Sequence, residues 1–211
     1  MSRATNIEYP KHYLVVPRSN CEHWEYLPIC FTDSISAGNY WYIAPQSDLF
    51  QFGILNSAMH MAWIKCVSGR LGGYDRLHHS PAVKHFPWPI THTQAHISSI
   101  EEKAIAILAI RDLYPSMPLK DLYNPLTMPE ALQEAHKELD KAVDAAYGQT
   151  YFASDDSRVG FLLHLQRQLS SLLIHLYDDS AALADPIYYQ DNSDNSFGKN
   201  RYSANSNNSA F

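Results

Sequence analysis

FPWP at Phe86–Pro89 divides the chain into two kinds of sequence. Its prolines fix φ and remove two backbone donors, so the segment is extended and interrupts any helix or ladder. A domain boundary is placed just after it. Residues 1–90 read as mixed strand and helix, residues 91–185 as helical, and residues 186–211 as an Asn/Ser-rich tail with almost no aliphatic residue. Such a tail cannot offset its ordering entropy by burial and is predicted to be disordered. The predicted class is α+β: a mixed N-terminal segment, a three-helix C-terminal bundle, then the tail.

Upstream of FPWP, His12–Val16, Tyr26–Phe31 and Tyr40–Ala44 are short, aromatic and β-branched, with turn residues between them. They read as strands. Ser47 or Asp48 can then cap one helix running to about Cys66, with Leu49, Phe52, Leu55, Met59 and Trp63 at three- and four-residue steps. Gly53 inside it suggests close packing, and MHMAW (Met59–Trp63) reads as helix core. Residues 70–86 read as an exposed loop and strand.

Downstream, Ser98 and Ser99 each stand three residues before a glutamate, a doubled capping-box signal. Ile100, Ala104, Ile107 and Leu108 form the apolar stripe of the helix that follows, which ends by Pro115. Thr127, Pro129 and Glu130 mark a second start, Leu132, Leu139, Val143 and Ala146 its stripe, and Gly148 its C-terminal cap. A third helix is expected from about Asp155 to Tyr177, with Val159, Leu162, Leu163, Leu169, Leu173 and Leu176 inward.

With 45% hydrophobic and 18% charged residues, the composition is that of a soluble globular protein. No apolar run approaches the ~20 residues needed to span a bilayer, and the start lacks a signal-peptide core, so a cytoplasmic location and no membrane partner are expected. The net charge of −6 is unevenly spread: residues 1–92 carry seven bases and six acids, a balance of +1, which leaves −7 for the rest. The N-terminal part can therefore still face a phosphate backbone, though weakly. Cys21, Cys30 and Cys66 form no CxxC and are expected as small buried hydrophobes.

The chemistry of catalysis is not apparent. No Walker loop, GxSxG elbow or HExxH occurs. Asn124-Pro125 is followed by Leu126, so it reads as a turn rather than the Asn/Asp-Pro-Pro-aromatic loop of an amino-methylase. Asp155-Asp156 and Asp178-Asp179 read as helix ends. His78, His79, His85, His92 and His96 fall close together, but no cysteine completes a site and no metal is expected. His136, His164 and His175 read as surface or satisfied interior histidines.

Four stretches, in this order and spacing, are similar to one family: YLVVP (Tyr13–Pro17), FGILNSAMHMAWIKCVSGRL (Phe52–Leu71), FPWP, and DLYNPLTMPEALQEAHKELDKAVDAAYG (Asp121–Gly148). Together they resemble the MmeI-like (type IIL) restriction-modification methyltransferases, which join a nuclease, an N6-adenine methyltransferase and a target-recognition domain. The resemblance covers about residues 9–177. It implies the end of a target-recognition domain and a C-terminal helical domain, with Met1 opening a piece of a longer chain. It implies no catalytic centre and no cofactor in this chain, S-adenosylmethionine for the parent enzyme, and double-stranded DNA as partner together with upstream nuclease and methyltransferase domains.

The same resemblance points to GGYDRLHHSPAVKH, between GRL and FPWP, as a base-reading segment. Asp75, Arg76, His78 and His79 are the expected readers, with Arg70 and Lys84 on phosphate. A second segment, Arg18–Glu25, supplies Arg18 and Glu22, but Trp24 and Glu25 stand where relatives carry basic residues. The alternative is a helical module that docks on catalytic domains and binds no DNA alone. The recognition reading requires Arg18, Arg70, Arg76 and Lys84 on one face; the docking reading requires an exposed apolar patch on the helices.

Overall fold

A computed structural model describes residues 12–33, 41–45, 47–70, 76–78 and 85–178, with the backbone path alone for 41–43, 45, 70, 76–78 and 173–178. YLVVP forms β1 (Tyr13–Pro17), which is buried along its whole length. Burial on both faces follows from its central place: it pairs antiparallel with β3 (Cys30–Thr32) on one side and β4 (Trp41–Pro45) on the other. A second sheet joins β2 (Ser19–Cys21), β6 (Arg76–His78) and β5 (Gly69–Arg70), in that order. The strand expected over Tyr26–Phe31 begins only at Cys30. Tyr26–Ile29 is buried but belongs to no ladder among the described residues.

The single helix expected to Cys66 is two helices. Asp48 starts α1 (Leu49–Leu55) through a reciprocal capping box with Gln51. At Asn56–Ser57 the helix stops, and Ser57 caps α2 (Ala58–Val67) by accepting from His60 N–H. The physical reason is tertiary: both ends at the break find partners on distant helices, described below. MHMAW is core, with Met59, Met61 and Trp63 almost wholly buried. The cysteines depart from expectation, since Cys21 and Cys30 are half-buried and Cys66 is exposed on the last turn of α2.

The helical part begins earlier than Ser98 or Ser99. Thr93 caps α3 (Gln94–Arg111), and His96 rather than a glutamate closes the capping box. A short α4 (Leu119–Leu122) follows, then α5 (Glu130–Ala146) behind Pro129, ended by Gly148 at φ 76°. Ser154 and Ser157 exchange backbone-to-hydroxyl bonds at the start of α6 (Asp155–Asp178). Asn124 Oδ1 accepts from Leu126 N–H at 3.0 Å, the expected Asn-Pro turn. Among the described residues no helix is long and apolar enough to cross a membrane.

The three long helices do not close on one another alone. α3 packs against α5 on one side and α1 on the other, whereas α6 lies chiefly on α2. One hydrophobic cluster therefore runs across FPWP, from Leu14 and Trp63 through Phe86 to Ile107 and Val143. FPWP itself is a buried strap. Phe86 meets the edges of His60 and Trp63, and Pro87 O accepts from the Tyr147 hydroxyl at 2.9 Å.

The α1–α3 contact needs a missing side chain. A Cβ on Gly53 would stand 2.5 Å from Ile100 Cγ2 and 3.3 Å from Leu139 Cδ1. Ile100 is fully buried and β-branched, so it cannot swing away. Gly53→Ala should therefore lower stability by about 1–2 kcal/mol, despite alanine's better helix propensity. A denaturant midpoint at or above that of the unaltered protein would show that the helices separate freely.

Candidate nucleic-acid interface

The second sheet gathers segments far apart in sequence. Ser19, Asn20 and Cys21 stand opposite His78, Leu77 and Arg76; Gly69 and Arg70 stand opposite His78 and Leu77. Arg76 and His78 are thus on the middle strand, Arg70 on one flank, and Arg18 and Glu22 at the two ends of the other. Arg18 and Glu22 are half-buried. Asp75, His79 and Lys84 lie outside the described residues.

The sheet is anchored from beneath. Asn20 is buried and directs its amide at Met61 Sδ of α2 (3.8 Å) and at Cys21 O (3.0 Å). Beyond β2, Trp24 N–H closes a turn onto Cys21 O, and the indole packs on the core. Glu25 is exposed.

Next comes Tyr26, whose hydroxyl donates to Asp140 Oδ2 at 2.9 Å. Its ring stacks on His136 at 4.0 Å. Asp140 Oδ1 also accepts from Ala58 N–H at 2.7 Å, so a carboxyl from α5 supplements the cap of α2. Burial pushes the Asp140 carboxyl up to about 7, against the pull of Ala58 N–H, Tyr26 and Arg158. It opens on a cleft of about 350 Å³ shared with Glu25, Lys65, Asp155 and Arg158. Arg158 pairs with Asp144 at 3.1 Å, joining α6 to α5.

A polar ring lies deeper. Arg111, at the end of α3, is 9% exposed. Its Nη1 donates to Ile29 O (2.7 Å), Nη2 to Asn56 Oδ1 (2.8 Å), and Nε to the Tyr123 hydroxyl (2.8 Å). His136 Nδ1 lies 3.1 Å from Asn56 O, which can only accept, so Nδ1 carries the proton. Nε2 then accepts from the Tyr123 hydroxyl at 2.8 Å. Burial, then the Arg111 charge, holds the His136 imidazole well below its ordinary range, so it is neutral. Burial also raises the Tyr123 hydroxyl. The helix break at Asn56–Ser57 is held by this ring on one side and by Asp140 on the other.

Sequence reasoning did not find this ring, although one sign was present. Arg111 continues the stripe Ile100, Ala104, Ile107, and His136 and Asp140 sit on that of α5. A charged or titratable residue on a buried stripe requires partners.

His79 and the side chain of His78 lie outside the described residues, and the described histidines that follow bond locally. His92 Nδ1 meets Pro89 O, and His96 Nδ1 accepts from Thr93 N–H. Among the described residues no group of three or more histidines, cysteines or acids could hold a metal. Nor do the described glycines form a cofactor cradle: Gly53 and Gly160 lie within helices, Gly69 opens β5, and Gly148 caps α5. The described residues do not fit S-adenosylmethionine.

Of the candidate contacts, Arg18, Glu22, Arg70, Arg76 and His78 fall on or beside one small sheet. Two family models match the chain: the MmeI target recognition domain over residues 2–90, and the MmeI C-terminal domain over residues 92–174. DNA methyltransferase A of Bacillus subtilis (strain 168) is 36% identical over 165 residues, which is 77% of this chain and 18% of that protein. The solved type IIL restriction-modification enzyme MmeI, in complex with DNA, superposes with a TM-score of 0.70 at 37% identity, over 76% of this chain and 22% of its own. This chain belongs to the MmeI-like, type IIL family and corresponds to its C-terminal part. It spans about a fifth of the length of these relatives.

Proposed function

We propose that the chain is the DNA-recognition and C-terminal helical portion of a bacterial restriction-modification DNA methyltransferase, with the β2–β6–β5 sheet turned to the duplex. The observation that carries this reading is the meeting of Arg18, Glu22, Arg70, Arg76 and His78 around one sheet, within the stretch that matches a target recognition domain. Arg18, Arg70 and Lys84 would hold phosphate, while Asp75, Arg76, His78 and His79 would read bases. In the whole enzyme, methyl transfer from S-adenosylmethionine to adenine N6, and cleavage, would belong to methyltransferase and nuclease domains outside this chain. The target adenine would be flipped toward them.

One observation favours an additional docking role for the helices. Leu113 is 73% exposed and Met117 37%, around an apolar groove at the α3–α4 turn that Tyr114 and Pro118 also line. The two roles use different surfaces.

Duplex binding tests the reading. The purified chain should bind random duplex DNA at low salt and lose affinity as salt rises. Arg70→Ala/Arg76→Ala should weaken binding about tenfold and flatten the logarithmic salt slope by roughly 1–2. Absence of binding at low salt would reject DNA contact by this chain alone and leave the docking role.

A further inference from the structure

The stretch from Glu22 to Ile29 joins the two sheets without a ladder of its own among the described residues. Side chains of the helical half hold it instead. Trp24 N–H fixes its start on Cys21 O. Arg111 of α3 fixes its end at Ile29 O. Between them Tyr26, 6% exposed, is held by two residues one turn apart on α5: its face rests on His136 and its hydroxyl on Asp140. A stiff ring gripped at face and tip has little rotational freedom, and it lies immediately after the segment Arg18–Glu25.

We infer that Tyr26, His136 and Asp140 form a clamp through which the helical half positions the segment Arg18–Glu25, β2 and the turn after it. They are positioning residues, none of them touching DNA, and the consequence for DNA rests on the function proposed above. The helical domain thereby acts on recognition itself, beyond any docking role.

The clamp is proton-sensitive. Around Asp140 stand Tyr26 and Glu25 from the stretch after β2, Lys65 from α2, Asp144 on its own helix, and Asp155 and Arg158 from α6. Around His136 stand Tyr26, Arg111 from α3, and Tyr123 just after α4. The Tyr26 hydrogen bond favours the ionised form of Asp140. By reciprocity, ionised Asp140 holds Tyr26 more tightly than the neutral acid does. That hydrogen bond works against the burial that raises the carboxyl to about 7, so the grip on Tyr26 changes as Asp140 titrates.

Amide hydrogen exchange on the full chain at pH 6 and pH 8, corrected for intrinsic rates, tests the clamp. At pH 8, Tyr26→Phe and Asp140→Asn should each speed exchange in residues 18–25 by about three- to tenfold, while α3 keeps its protection. The unaltered protein should show a step in protection of residues 18–25 between pH 6 and pH 8, and Asp140→Asn should show no such step. Tyr147→Phe, which gives up a buried bond to Pro87 O, is the control for general loosening and should leave the segment unchanged. Unchanged exchange in Tyr26→Phe, or equal acceleration in Tyr147→Phe, overturns the clamp. Duplex binding by the same variants separates the two proposals. A loosened segment with unaltered DNA affinity keeps the clamp and removes the segment from the DNA interface.

Discussion

Replacing Arg111 by methionine is expected to lower the unfolding free energy by about 3 kcal/mol, since each buried polar group left without a partner costs about 1–3 kcal/mol. The guanidinium serves three acceptors that water cannot reach: Ile29 O, Asn56 Oδ1 and the Tyr123 hydroxyl. It also lies over the rings of Phe52 (5.2 Å) and Tyr123 (4.8 Å), so the cationic contact is lost with the hydrogen bonds. Lysine should rescue little. One ammonium on a flexible stem cannot reproduce a planar fork aimed at three elements. Urea unfolding with an unchanged slope and a lower midpoint would report the loss directly. A change below about 1 kcal/mol would mean that water reaches these acceptors in the variant, and that the ring is not a sealed interior.

The second large effect is a pair of opposed pH dependences. Asp140 is raised to about 7 by burial, so its contribution is fully present below about pH 4 and is lost as pH climbs through 7. His136 is depressed by burial and by Arg111, so its contribution is present above about pH 6.5 and is lost as pH falls toward its folded value. Between pH 4 and 6.5 the two slopes oppose each other and partly cancel. Asp144, raised mainly by burial, adds to the Asp140 side. Asp140→Asn should therefore make stability rise more steeply with pH than in the unaltered protein. His136→Gln, which keeps one donor and one acceptor, should make it fall. The separation between the two variants across this window should be on the order of 2 kcal/mol, less than full burial would give because Asp140 opens on the cleft. Parallel stability curves for the two variants would refute the assignment of proton uptake to these two side chains.

What the sequence made legible was local. The stripes of α3 and α5, the glycine cap at Gly148, the Asn124-Pro125 turn and the span of α6 all follow from periodicity and cap chemistry, which act within a turn or two. The break between α1 and α2 escaped because its causes lie far away in the chain, with Asn56 held by Arg111 and Ala58 N–H by Asp140. Tyr26–Phe31 reads as a strand because it is short, aromatic and β-branched, yet Tyr26–Ile29 joins no ladder among the described residues. Its partners proved to be helices, and burial alone does not distinguish a ladder from a side-chain anchor. The start of α3 was displaced because histidine can close a capping box as well as glutamate. Arg18 and Glu22 on one segment, with Arg70, Arg76 and His78 on another, could be named from the sequence. Their meeting on one sheet could not, since antiparallel pairing of Ser19 with His78 leaves no local mark.

The buried strap at Phe86–Pro89 bears on how halves of related chains could be joined. A chimera joined there would take Ile29 and Tyr26 from one parent and Arg111, His136 and Asp140 from another. The most conspicuous seam in the sequence is therefore a poor place to splice. A transplanted N-terminal half should fare better when α3 and α5 travel with it as one inheritance unit.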